Sequence, residues 1–334
     1  MTILSGTGGN DILRDDLGAD DIRGYGGDDV IHGLDGSDSI FTGRGNDTAY
    51  GGDGYDYFNE EAGKFEANHR VRNHFFGDAD TDTYDLIVGK GFSAKKDTLL
   101  LNVSSGVLKI EHHDYRDTFD SVEQFLFHGK LALEAVGSAA SDTIQGADGN
   151  DWIQGADGGD QLFGGKGRDR LFGGDGNDTL MAQGGNDKAF GGAHDDQLHG
   201  GGGKDVLKGG TGSDWLDGGS GRDKLFGGVD ADADTFYFGD VRESGPGARQ
   251  MDVVYDFTPG SDKIHVMWID ADNSTGGDDA FAFNGSAGAQ ANAIWTVKDG
   301  SDLIVYADNT GDAVADFAVR LVGVDAVGAT DFLL

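Results

Sequence analysis

One apolar residue recurs every nine positions along much of the chain. Counting from Gly6, frames of nine follow without slip: GTGGNDILR, DDLGADDIR, GYGGDDVIH, GLDGSDSIF, TGRGNDTAY and GGDGYDYFN. Position eight holds Leu13, Ile22, Ile31, Ile40, Ala49 and Phe58. Its neighbours are mostly polar, so the triplet reads as a three-residue strand with one side chain facing in. Glycines at positions one, two and four supply the backbone freedom for a tight turn between strands. The register returns at Gly137 and runs through Phe226. Two frames, or eighteen residues, would make one coil of a flattened helix. The pattern predicts an all-β fold with two parallel β-roll blocks, at 6–59 and 137–226.

Position six carries the chemistry. It is Asp11, Asp20, Asp29, Asp38, Asp47 and Asp56 in the first block. In the second it is Asp142, Asp151, Asp160, Asp169, Asp178, Asp187, Asp196, Asp205, Asp214 and Asp223. Acids scattered at random would fill all of these positions with a chance of about 10⁻¹², so the period is real. Coils stacked one strand spacing (~4.8 Å) apart would line up carboxylates and backbone carbonyls. Oxygen-only sites of that kind suit Ca²⁺. Among the departures, Asp15 and Ala182 replace the first glycine, and Ala140 and His194 the fourth. Weaker binding is expected at those turns.

The frames match G-G-x-G-x-D-x-U-x, and the chain resembles the RTX proteins, whose calcium-binding nonapeptides build a β-roll. The resemblance implies several Ca²⁺ ions, each held between neighbouring coils by the position-six Asp residues and backbone carbonyls. The last frame is lengthened to GGVDADADTF, which adds Asp232 and Asp234 as candidate ligands. Beyond it, alternating runs at 236–238, 252–257, 263–269, 293–297, 302–307 and 317–324 read as strands of a sandwich-like cap over 227–334. ADTFYF (233–238), the Asp252-to-Ile264 pattern D-x-x-x-DF-x-x-G-x-DKI, and the closing FAVRLVGV…ATDFLL resemble the C-terminal domain of serralysin metalloproteases. That likeness implies a Gram-negative source, extracellular localisation, the type I secretion machinery as a partner, and an uncleaved signal at Asp331-Phe332-Leu333-Leu334.

Composition narrows the partners. The formal net charge is −35, which argues against nucleic acid as a partner. Cysteine is absent, so thiolate sites and disulfides are excluded. No apolar run reaches the length of a membrane span, and the N-terminal residues do not read as a Sec signal. The nine histidines form no H-E-x-x-H, so serralysin-type zinc catalysis is rejected. Residues 60–136 break the period and read as a small inserted β module. Its ionisable clusters, His69 with His74 and Glu111-His112-His113-Asp114, are the places where an unrecognised active site could lie. Adjacent residues on a strand face opposite ways, so His112 and His113 cannot serve one site without a bulge. The expected function is a secreted calcium-binding protein acting in binding, adhesion or surface assembly, with polysaccharide or a cell-surface component as a possible partner. The alternative is an enzyme or polysaccharide-acting accessory module with its site in 60–136 or the cap. Position nine of the second block holds Phe163, Phe172, Met181, Phe190 and Phe226. Its eighteen-residue stacking predicts an aromatic face docked on another part of the chain.

Overall fold

The computed structural model describes residues 3–334 apart from 16, 61–73, 78–81, 88–97, 103–106, 111–114, 121–123, 248 and 273–278. His69 and the Glu111–Asp114 cluster therefore lie outside the described residues. Residue contacts divide the chain into two compact units, Met1–Lys166 and Gly167–Leu334.

In the first unit the frames form parallel strands in eighteen-residue register. Leu13 pairs with Ile31, and Ile31 with Ala49; Ile22 pairs with Ile40, and Ile40 with Phe58. Each of these position-eight side chains is buried. Their two columns face each other across the roll and form its core. Burying a side chain of that size contributes about 1.5–3 kcal/mol, so short strands are held by the column rather than by their own length.

The region between the repeat blocks is woven into this roll. His74–Phe76 adds in parallel beside Thr48–Asp53, and Thr83–Ile87 beside Tyr57–Glu60. Gln124–His128 then joins Thr83–Ile87 to the returning frame at Thr143–Gln145. Phe75, Tyr84 and Phe125 continue the inward columns with larger side chains. Thr98–Asn102, Val107–Ile110 and Tyr115–Asp120 form an antiparallel excursion from it.

The second unit repeats the logic. One column runs Leu171, Ala189, Leu207, Leu225 and Val254. The other runs Leu180, Leu198, Leu216, Phe236, Ile264 and Phe332. Both columns outlast the repeats, because Asp252–Tyr255, Lys263–His265 and Phe332–Leu333 add further parallel strands. Ala293–Asp299, Asp302–Ala307 and Phe317–Leu321 form an antiparallel sheet joined to the roll through Asp252–Tyr255.

Two of the position-nine aromatics stack on each other, and a third stacks on the strand that follows the repeats. The Phe172 and Phe190 rings lie 5.0 Å apart and nearly parallel, and Phe226 stacks on Tyr255 at 4.4 Å. Lys208 bridges the gap, its Nζ 5.8 Å from the Phe190 ring and 5.0 Å from that of Phe226. Within this row Phe226 meets a residue beyond the repeats, Tyr255, as the docking expectation requires of that ring.

Candidate metal centre

The position-six carboxylates form ladders. Along each ladder an Asp Oδ1 accepts the backbone N–H of the residue one coil earlier: Asp11 donates to Asp29, Asp29 to Asp47, Asp20 to Asp38, and Asp38 to Asp56, at 2.8–2.9 Å. Asp142 donates to Asp160, and Leu133 to Asp151. In the second unit one column runs Asp169, Asp187, Asp205, Asp223 and Asp252. The other runs Asp178, Asp196, Asp214, Asp234 and Asp262.

The structure thus brings together every predicted Asp except Asp232. That residue is exposed and donates its N–H to Asp230 instead. Three members carry no nonapeptide signal. Asp82 accepts from Asp56, twenty-six residues before it; Asp252 and Asp262 close steps of twenty-nine and twenty-eight. Recurrence of an acid before a strand-like triplet was the only available clue to them.

The second oxygen is left over. Asp29, Asp38, Asp187, Asp196, Asp205, Asp214, Asp223 and Asp252 each bury an Oδ2 that has no hydrogen-bond partner. Burying such an oxygen unmatched costs free energy, so a row of them fits a bound cation. The glycine at position one shows what surrounds it. A Cβ added at Gly200 would lie 2.8 Å from Asp205 Oδ2 and 2.6 Å from the Gly218 carbonyl oxygen of the next coil. Gly173, Gly191 and Gly33 would meet the same pair of oxygens, one from their own frame and one from the next coil. Most frames keep glycine at position one, where these oxygens crowd the place a Cβ would take. Ala182 and His194 do not close their turns, since Asp187 and Asp196 keep the same orphan oxygen.

Burial also sets the protonation. It pushes Asp196 and Asp223 up to about 8, with neighbouring carboxylates adding to the effect. Asp234 and Asp252 are raised to about 7, and Asp151, Asp205 and Asp214 to about 6, each mainly by burial. A divalent cation would return those of these groups that it contacts to the ionised form.

Among the described residues no three carboxylates or imidazoles converge on one point. Each coil contributes one Asp per column, and backbone carbonyl oxygens such as that of Gly218 lie beside it as further oxygen donors. That hard, all-oxygen donor set fits Ca²⁺ and not a thiolate- or imidazole-seeking metal.

Comparison with known proteins agrees with this chemistry. The family described as RTX calcium-binding nonapeptide repeat (4 copies) matches residues 5–40, 23–58, 136–171, 172–207 and 199–234. The metallopeptidase AprA of Pseudomonas marginalis is 42% identical over 93 residues, 28% of this chain and 18% of that protein. The match therefore spans less than a fifth of the metallopeptidase. The solution structure of the AlgE6R3 subunit from the Azotobacter vinelandii mannuronan C5-epimerase is 27% identical, covering 59% of this chain and 80% of that one at a TM-score of 0.26. The extracellular lipase LipA from Serratia marcescens is 16% identical, covering 98% of this chain and 39% of that one at a TM-score of 0.19. The matched frames, with their carboxylate ladders and the β-roll they build, are RTX calcium-binding nonapeptide repeats across 5–58 and 136–234.

Proposed function

We propose that this is a secreted protein whose rolls order when they meet extracellular calcium, and that the ordered form works by binding at a surface. The row of buried, unpartnered Asp oxygens in 173–226 carries this reading. The ion supplies the positive charge that those oxygens lack. Asp Oδ1 holds the coil below through its N–H, and Oδ2 is kept for the cation. The position-one glycines keep the approach clear of side-chain atoms. In this reading 6–59 and 137–226 are the calcium-loaded blocks, while 60–136 and 227–334 are the insertion and the cap.

Export through a type I system rests on the serralysin-like C-terminal region. Asp331 is buried, accepting N–H groups of Gly260 and Gly328, and Phe332 packs beside Phe283. Deleting the last four residues would therefore disturb the cap as well as an address. The cleaner test fuses residues 227–334 to a passenger and follows its appearance in the medium; retention inside the cell would remove export from the reading. Polysaccharide or another cell-surface component is the proposed target. Light scattering and glycan-array binding, each with calcium and with chelator, test this. Calcium-dependent assembly or glycan capture supports surface action, and neither effect in calcium would refute it.

A further inference from the structure

Position two of the frame separates two kinds of turn. It is left-handed in Tyr25 (φ 71°), Leu34 (φ 79°), Gln183 (φ 73°), Gly192 (φ 128°), Gly201 (φ 91°), Gly210 (φ 131°) and Gly219 (φ 75°). The Asp four residues on, namely Asp29, Asp38, Asp187, Asp196, Asp205, Asp214 and Asp223, keeps its Oδ2 buried without a hydrogen bond. Thr7, Ser138 and Ala147 hold the same frame position and are not left-handed. There the N–H closes on the oxygen that is open elsewhere: Thr7 donates to Asp11 Oδ2 at 2.6 Å, Ser138 to Asp142 Oδ2 at 2.6 Å, and Ala147 to Asp151 Oδ2 at 3.0 Å. The Thr7 and Ser138 hydroxyls donate to the same oxygens at 2.8 and 3.0 Å.

Reversing the hand of one residue rotates the peptide before it against the peptide after it. An N–H that would cap the carboxylate then points elsewhere. For a residue with a Cβ, the left-handed form costs about 1–2 kcal/mol. Tyr25, Leu34 and Gln183 hold that form nonetheless, and such strain persists where function keeps it. The sealed turns of the second block share a position as well. Eighteen residues before Asp142 and Asp151 stand Gln124 and Leu133, outside any nonapeptide frame.

We infer that position two gates the metal: frames that are left-handed there take calcium, while the turns at Asp11, Asp142 and Asp151 take none and act as metal-free caps of their blocks. This rests on the calcium reading above and sharpens it, since a position-six Asp alone would then not count as an ion.

The test is the number of ions bound by the full chain at saturating calcium, measured by equilibrium dialysis. Asp142→Asn and Asp151→Asn, which keep an accepting oxygen, are expected to leave that number unchanged. Asp205→Asn and Asp214→Asn are expected to lower it by at least one each. Loss of an ion in either of the first two variants overturns the gate. The wild-type chain gives a second readout that needs no variant to fold. In saturating calcium the amides of Ser138 and Ala147 should exchange slowly, because they stay bonded to the carboxylates; fast exchange there also overturns it. A wild-type chain that binds no calcium sinks the calcium reading itself, an outcome distinct from an ion lost at Asp142 or Asp151.

Discussion

The repeat coils of 173–226 and the coils that follow them at 235–265 share one ladder but not one sequence. In the repeats each step takes eighteen residues, and glycines close every turn. In the following coils the steps from Asp223 to Asp252 and from Asp234 to Asp262 take twenty-nine and twenty-eight. Different groups satisfy their ends: Ser244 Oγ accepts the Asp252 N–H, and Thr258 N–H closes on Asp262 Oδ2 at 2.7 Å. The inward columns continue regardless, from Leu225 to Val254 and from Phe236 to Ile264. Strand register with one Asp per coil therefore builds the ladder. The nonapeptide adds the economy of closing each turn in so few residues, with the metal-facing oxygens left clear.

The largest expected effect divides the two regions. Ordering is coupled to calcium, since a ligand of the folded form alone adds about 2.7 kcal/mol per site at a hundredfold excess over Kd. Several sites would exceed a domain's typical margin of ~5–15 kcal/mol. Chelator should abolish most of the β signal in circular dichroism, and an unchanged spectrum would break the idea. If the following coils stand without metal, a residual β signal should survive.

Core truncation comes next. In saturating calcium, Leu225→Ala and Ile264→Ala should each lose about 2–5 kcal/mol in denaturant unfolding. A much smaller loss at Ile264 would show that the following coils do not share the roll's cooperativity. Turn glycines should split the regions more sharply. A Cβ at Gly209 meets Asp214 Oδ2 and the rest of its carboxylate, whereas at Gly247 it meets only the Gln250 amide end, at 3.3 Å. Gly209→Ala should cost about 1–3 kcal/mol, as overpacking does, and weaken calcium binding. Gly247→Ala should stay within about 0.5 kcal/mol.

Acidity gives a smaller effect with a definite sign. Asp196 and Asp223 near 8 and Asp252 near 7 stand above the ordinary carboxylate value of about 3.9. The folded form without metal thus binds protons more tightly than the unfolded form. The stability this contributes is fully present below about pH 4 and is lost as pH rises through about 7–8. Without calcium, β content should be higher at pH 4.5 than at pH 8.5; calcium affinity should fall on acidification from pH 8 to pH 6. The opposite trend in either titration would contradict the burial of these groups. The smallest effect is expected at the stacked rings. Phe190→Ala should cost about 1 kcal/mol, the scale of a ring pair on a sheet surface, and a loss above ~3 kcal/mol would mean that the ring is docked under other structure.

Much of this architecture was legible because period and burial coincide at position eight: Ile22, Ile40, Leu198 and Leu216 are inward exactly one coil apart in sequence count and in register. Asp82, Asp252 and Asp262 were not, because insertions hide an eighteen-residue step that the backbone still makes. The sealed turns were only half legible. Thr7 and Ser138 advertise a hydroxyl four residues before an Asp, but Ala147 closes its turn with a backbone N–H that no side chain announces. The left-handed turns at Tyr25, Leu34 and Gln183 were hidden for the same reason.

The carboxylate columns have a collective property. Ionised neighbours one strand spacing apart, about 4.8 Å, repel by about 3–4 kcal/mol at an effective dielectric of 20. A column is then a short polyelectrolyte, and each cation that enters relieves the charges on both sides of it. Coils that contact only their neighbours order as links of a one-dimensional lattice, most readily beside a link already ordered. The length of the row, more than the affinity of any single turn, would then set how abruptly the protein responds as calcium rises.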